Sequence, residues 1–189
     1  MSTRRKILEA LQRDGRAPLS KIASDLGVSH TAVRKHIDKM ISSGLVKIEA
    51  LINPKKADLK LVLLLIEAEN YESAKKLIRR FRSCPRVVML MSLLGGYNIA
   101  ALVFAEDMSV LNSITSVCAL RTSEGIRRSE IFLVSDLAKP KHLPVRIVGT
   151  KGELSCGFDC CKCPKYPDEC IGCPLSKCYR PPRGSIFSD

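Results

Sequence analysis

Along the first 45 positions apolar residues recur three and four apart, the period of a helix with one buried face. In "RKILEALQRDG", Ile7, Leu8 and Leu11 share a face, and Asp14-Gly15 ends the run. In "PLSKIASDLG" the apolar set is Leu19, Ile22, Ala23 and Leu26, with Gly27 as the stop. "VSHTAVRKHIDKMISSG" opens on Ser29, a good N-cap, carries Val33, Ile37, Met40 and Ile41 as one stripe, and closes at Gly44. Helix, short helix, glycine turn and capped helix is the order of a helix-turn-helix, and the extended "LVKIEALINP" stands where a wing belongs.

Past the hinge at Pro54 the pattern changes. "KLVLLLIEA", "RVVMLMSLL", "NIAALVFAE" and "GIRRSEIFLVS" read as strands, and "YESAKKLIRRF" and "DMSVLNSITSVCAL" as helices between them. The order βαββαβ predicts a four-stranded antiparallel sheet with two helices on one face, a ferredoxin-like arrangement. Strands this apolar leave the second face in need of a cover, which a dimer supplies. Val87 to Ala105 is 19 residues without a charge, long enough to span a bilayer, but Gly95-Gly96-Tyr97-Asn98 at its centre reads as a turn between two strands. The fold class expected is therefore α+β: a winged helix-turn-helix over 1–53, a ferredoxin-like domain over 57–136, a linker over 137–154 and a small cysteine-rich module over 155–180.

Charge sharpens the reading of the first unit. The chain carries +12 overall, and residues 1–56 hold 12 Lys/Arg against 5 Asp/Glu. Such a bias favours an anionic partner, double-stranded DNA before a membrane surface. With Val33, Ile37 and Met40 turned inward, Ser29, His30, Thr31, Arg34 and Lys35 remain outside at the helix start, where they can meet base edges and phosphates. Basic residues at the N-terminus have no apolar run behind them, so no signal peptide is expected and the compartment expected is the cytoplasm.

The helix-turn-helix, the "INP" hinge and the βαββαβ run with "LLGGYN" between its central strands resemble the Lrp/AsnC family of feast/famine transcriptional regulators over about residues 4–136. The resemblance implies DNA binding as a homodimer or a ring of dimers. It also implies a small-molecule effector held near the glycine-rich loop, which here is Gly95, Gly96, Tyr97 and Asn98. Members of the family usually carry an acidic residue where Asn98 stands, and without that charge the ammonium of an amino acid loses its partner. Alone, those glycines are also what a tight hairpin needs.

Seven of the nine cysteines fall between Cys156 and Cys178. Cys160-x2-Cys163-Pro164 repeats ten residues on as Cys170-x2-Cys173-Pro174, and two such turns complete a tetrahedral zinc site. Cys156-x3-Cys160-x2-Cys163 is a competing set that, completed by any of Cys170, Cys173 or Cys178, suits a [4Fe–4S] cluster. The metal candidates are thus Cys156, Cys160, Cys163, Cys170 and Cys173, with Cys161 and Cys178 ranked after them. In a reducing compartment metal ligation is expected over disulfides. "CGFDCCKCPKY…CIGCP" also resembles a short cysteine-rich module of prokaryotic proteins, which implies a metal without saying which. Cys84 and Cys118 read as small buried hydrophobes.

These features converge on a non-enzymatic regulator, with a tail that is either a staple or a sensor of metal or redox state. Two other classes remain. Siroheme decarboxylases share the two-domain plan, but this chain has only His30, His36 and His142 to place near a tetrapyrrole. A metal-storage or electron-transfer protein would use the tail alone.

Overall fold

The computed structural model describes residues 2–146 and 156–188, in two compact units that divide after Ala50. Part of the expected linker, residues 147–154, lies outside the described residues.

In the first unit α1 spans Thr3–Arg13, α2 Leu19–Leu26 and α3 His30–Ser42. The expected stripes meet, except that Ile41 is exposed one position round the helix from Met40: Ile7 from α1, Ile22 and Ala23 from α2, and Val33, Ile37 and Met40 from α3 form one buried cluster. Ser29 Oγ accepts from the Ala32 amide at 3.1 Å and starts α3. Gly27 closes α2 at φ +64°, a left-handed conformation that costs a glycine nothing, and this makes the turn between the two helices. Residues 45–51, where a wing is expected, make no strand pairing of their own. Instead Ile52 forms a single antiparallel bridge with Leu143 in the second unit's own structure.

In the second unit β1 spans Lys60–Ala68, α4 Tyr71–Phe81, β2 Val87–Ser92, β3 Ile99–Ala105, α5 Met108–Ser116, α6 Ala119–Thr122 and β4 Ile126–Val134. The strands order as β2-β3-β1-β4, all antiparallel, which is the ferredoxin-like plan. One difference concerns the second helix, which breaks into α5 and α6 where Cys118 takes an extended conformation.

Alternation gives the sheet two faces. Val62, Leu64 and Ile66 of β1 and Ile99, Ala101 and Val103 of β3 meet Leu77, Phe81, Val110 and Ile114 of the helices. The other face presents three rows across the strands. Val134, Leu61 and Phe104 form the first row, and it is covered by Leu143, Val145 and Phe187. Phe132, Leu63, Leu102 and Met89 form the second, and Glu130, Leu65, Ala100 and Met91 the third. Phe132, Met89 and Met91 are exposed. Leu143 and Val145, read from the sequence as connector, are buried, because a chain leaving β4 must cross an apolar sheet end and two apolar residues suffice to cover it.

The cysteine-rich segment is part of this unit, not a separate module. Cys156, Phe158 and Ile171 pack on the helix-side core, while Phe187 lies on the opposite face.

Candidate functional sites: a basic helix face and a thiol-lined cavity

On α3, Val33, Ile37 and Met40 are buried, and Ser29, His30, Thr31, Arg34 and Lys35 are exposed. Thr31, Arg34, Lys35, Asp38, Lys39 and Ser42 line a shallow groove along the outer side of the helix. Among the described residues neither Arg34 nor Lys35 is in an ion pair. Two unpaired cations on an exposed helix that starts with free amides are fitted to a polyanion.

The glycine-rich loop is built differently from a ready pocket. Gly95 sits at φ +151°, and the Leu93 amide donates to the Asn98 carbonyl at 2.9 Å, closing the turn. Asn98 uses its side chain internally: Oδ1 accepts from the Ala68 amide at 2.9 Å, and Nδ2 donates to the Ala68 carbonyl at 3.3 Å. Tyr97 lies under the Arg128 guanidinium, 4.8 Å from its ring centre. A hydrogen bond to Glu130 raises the Tyr97 phenol above its ordinary range. Asn98 therefore stitches the loop to β1, a task that accounts for an amide where the family resemblance expects an acid.

The tail brings thiols together. Cys156, Cys160, Cys163, Cys170 and Cys173 line one cavity of about 50 Å³, and Cys84 and Cys118 of the domain line it too. Those two were read from the sequence as core residues. Cys84 packs there as expected, but no spacing pattern could place either beside the tail, since contact across such distances depends on the folded domain. Each C-x2-C turn supplies two thiols: Cys160 and Cys163 from one, Cys170 and Cys173 from the other. Burial pushes the thiols of Cys156 and Cys170 up, and nearby backbone amides offset only part of the rise.

Within the Cys160–Cys173 pair the proton stays with Cys160. The hydrogen bond to Cys173 and burial push Cys160 up, while accepting that bond, against the pull of burial and beside Arg86, lowers Cys173. Burial pushes Cys84 to about 12 and Cys118 to about 11.

Cys161 and Cys178 are joined in a disulfide, whereas metal ligation was expected over disulfides in this segment. Their Cα atoms are 5.6 Å apart, within the ordinary bridging range. The short 3-10 turn Cys160–Lys162 turns neighbouring thiols to different sides, so Cys160 joins the cavity and Cys161 the bridge.

In kind and number, the cavity's donors fit a soft metal held by thiolates. Their spacing is wider than a closed shell: among the described residues no three His, Cys, Asp or Glu side chains are grouped to chelate one ion.

The cavity is anchored by buried polar groups. Arg86 and Glu106, with side chains 4% and 2% exposed, pair at 2.5 Å. Arg86 also donates to the Gly172 carbonyl at 2.6 Å and the Phe104 carbonyl at 3.4 Å. Burial works against the Arg86 charge, but Glu106 and the nearby thiols more than offset it and hold the guanidinium charged. Tyr179 donates its hydroxyl to the second Glu106 oxygen at 2.7 Å. Arg80 Nε donates to the Cys156 carbonyl at 2.8 Å, and the Ser109 and Ser113 hydroxyls both donate to the Glu169 carbonyl.

A basic recognition helix joined in one chain to a ferredoxin-like sheet domain defines a class: two-unit DNA-binding proteins with a regulatory domain. Residues 2–47 match the family model for winged helix-turn-helix DNA-binding. The transcriptional regulator LrpA of Pyrococcus horikoshii is 32% identical over 111 residues, 58% of this chain and 79% of that one. The regulator FL11 of Pyrococcus furiosus is 26% identical over 148 residues, 75% of this chain and 94% of its own. The solved structure of Escherichia coli AsnC superposes with a TM-score of 0.63 at 21% identity, covering 72% of this chain and 92% of that one. The chain belongs to the Lrp/AsnC family of transcriptional regulators, and it is a regulator of that type, not an enzyme. Among the described residues no helix is long and apolar enough to cross a membrane.

Proposed function

We propose that this protein is a sequence-specific regulator that binds double-stranded DNA as a dimer, reading base edges with α3 and joining protomers through the open sheet face. The observation that carries the reading is the division of α3 into a buried side and a basic, unpaired side that begins at a Ser29-capped terminus. Arg34 is the base reader, because a guanidinium can bond two acceptors of guanine at once, and Lys35 is a phosphate contact. Two such helices related by a dimer axis suit a roughly palindromic site with half-sites about one helical turn apart.

The test is binding to a selected operator at several salt concentrations. Arg34→Ala should cost about 1–3 kcal/mol on that operator and little on unrelated duplex. Lys35→Ala should weaken all sequences and flatten the salt dependence. A double variant that binds the operator as tightly as the parent chain would remove α3 as the reader.

Two finer parts complete the proposal. The dimer face consists of the rows of Leu63 and Leu65, where Phe132, Met89 and Met91 stand in solvent on a monomer. A small effector, if one acts, meets the loop through Tyr97 and the backbone of Gly95 and Gly96, because Asn98 is already engaged. DNA affinity further responds to metal occupancy or thiol state in the tail. Small thiolate sites bind zinc with apparent free energies of about 10–16 kcal/mol, ample to order a segment this poor in apolar residues.

A further inference from the structure

The tail grips the sheet domain from both sides. Cys160, Cys163, Cys170 and Cys173 lie on the helix side. The Gly172 carbonyl, between the last two, accepts from Arg86 at 2.6 Å, and Arg86 pairs with Glu106 at the end of β3. Glu106 accepts from Tyr179, whose ring meets Phe187 edge-on at 6.3 Å. Phe187 in turn stacks on Phe104 at 5.5 Å, with the ring planes 6° apart. Phe104 belongs to the first row of the opposite face, and its row neighbour Leu61 lies beside Leu63 of the exposed second row. A continuous set of buried and half-buried contacts thus runs from the thiol cavity around the sheet end to the margin of the open face.

We propose that this cavity is a binding site for one thiophilic divalent ion of the zinc class, held by Cys160, Cys163, Cys170 and Cys173, and that its occupancy controls how firmly Phe187 is clamped on Phe104 beside the dimer face. Two observations select this occupant. Cys160 and Cys163 of one C-x2-C turn and Cys170 and Cys173 of the other line the same space, and two such pairs are the ligand set of a tetrahedral zinc site. The remaining walls include the apolar side chains of Phe81, Ile114 and Phe158, which limit the water competing for the ion, and Arg86, whose charge favours thiolates.

An ion shared by the two C-x2-C turns ties the 160–163 turn to the 170–173 turn. That tie fixes Gly172 between two ligands, and Arg86 carries the constraint to Glu106 and Tyr179. Loss of the ion releases the same parts: the 170–173 turn loses its reason to stay against Arg86, and Phe187 loosens from Phe104. Because the exposed row borders the clamped one, looser clamping weakens self-association and, through it, operator binding. This last step rests on the regulator and dimer readings above; the ion and the clamp do not.

The experiment uses the full chain, loaded with zinc or stripped with a chelator under reducing, air-free conditions. One equivalent of zinc should bind. Cobalt should give the thiolate charge-transfer bands of a tetrahedral site, and Cys160→Ser and Cys173→Ser should each abolish them. Amide exchange followed by mass spectrometry should rise on stripping in 170–188 and in the Phe104 strand, but not in α1 to α3. Phe187→Ala should keep its metal and still weaken dimerisation about tenfold, the scale of one buried aromatic contact.

Zinc binding well below one equivalent, or a brown protein with iron and sulfide in the cavity, would overturn the single-ion site. Full zinc binding with unchanged exchange around Phe104 would overturn the clamp. A chain that meets the metal and exchange criteria but binds no duplex in either state would overturn the regulator reading alone.

Discussion

Glu106→Gln should be among the most costly single substitutions in the second unit. The change keeps the shape of the side chain but removes the charge facing Arg86, and it leaves one acceptor oxygen where Arg86 and Tyr179 each had one, so an NH2 group faces one of those donors. Two unit charges about 4 Å apart attract by about 4 kcal/mol at an effective dielectric near 20. Arg86 is 3% exposed, so its guanidinium cannot recover that loss from water. Its hydrogen bonds to the Gly172 and Phe104 carbonyls would persist, but neutral acceptors do not replace a carboxylate. Breaking one side of a buried pair costs about 3–5 kcal/mol. Domains of this kind are stable by about 5–15 kcal/mol, so the variant should be folded but visibly weakened.

The assay is urea denaturation of the zinc-loaded full chain, followed by circular dichroism, with separate transitions allowed for the two units. With a slope of about 2 kcal/mol/M, the midpoint of the second unit should fall by about 1.5–2.5 M, while the first unit's transition stays in place. Arg86→Met with Glu106→Leu removes both charges. It should therefore be less damaging than the sum of the single changes, and it decides the matter if Glu106→Gln does not fold. A Glu106→Gln midpoint within about 0.5 M of the parent would refute the reasoning, because the pair would then contribute little.

Other outcomes follow from the same geometry. Met91→Glu, on the exposed third row, should yield monomers by sedimentation and lower operator affinity, while leaving the zinc content unchanged. Cys84 should resist iodoacetamide at pH 8 in the folded chain. Burial raises it to about 12, so its thiolate fraction falls roughly a thousandfold below that of a free cysteine, and unfolding should restore the reaction. Asn98→Asp removes the donor to the Ala68 carbonyl and should cost about 0.5–1.5 kcal/mol by the same denaturation measurement.

What the sequence disclosed, and what it withheld, follows from the range of the interactions. Helices α1 to α3 were legible because their cores are periodic: Ile7, Ile22, Val33, Ile37 and Met40 recur at helical spacing, and Ser29 and Gly27 mark their ends locally. The sheet was legible from short continuous runs, since β1 and β3 are almost wholly apolar over strand length and the turn at Gly95 is written in adjacent residues. The C-x2-C repeat was visible too, and Cys160, Cys163, Cys170 and Cys173, which it groups, line one space.

The seat of that space was not visible. It depends on Arg86 meeting Gly172, which is 86 residues away, and on Tyr179 meeting Glu106, 73 residues away. No short-range pattern marks such partners: in sequence, Arg86 is one more basic residue before a strand and Phe187 one more aromatic residue near an end. Their meaning comes from burial, which turns an ordinary ion pair into a joint and a lone ring into a clamp. The thiol cavity thus sits on the sheet domain and is joined by Arg86, Glu106 and Tyr179 to the end of that sheet. The route runs through three side chains, Arg86, Glu106 and Tyr179, and uncoupling any one of them should leave the metal bound while disconnecting it from the DNA.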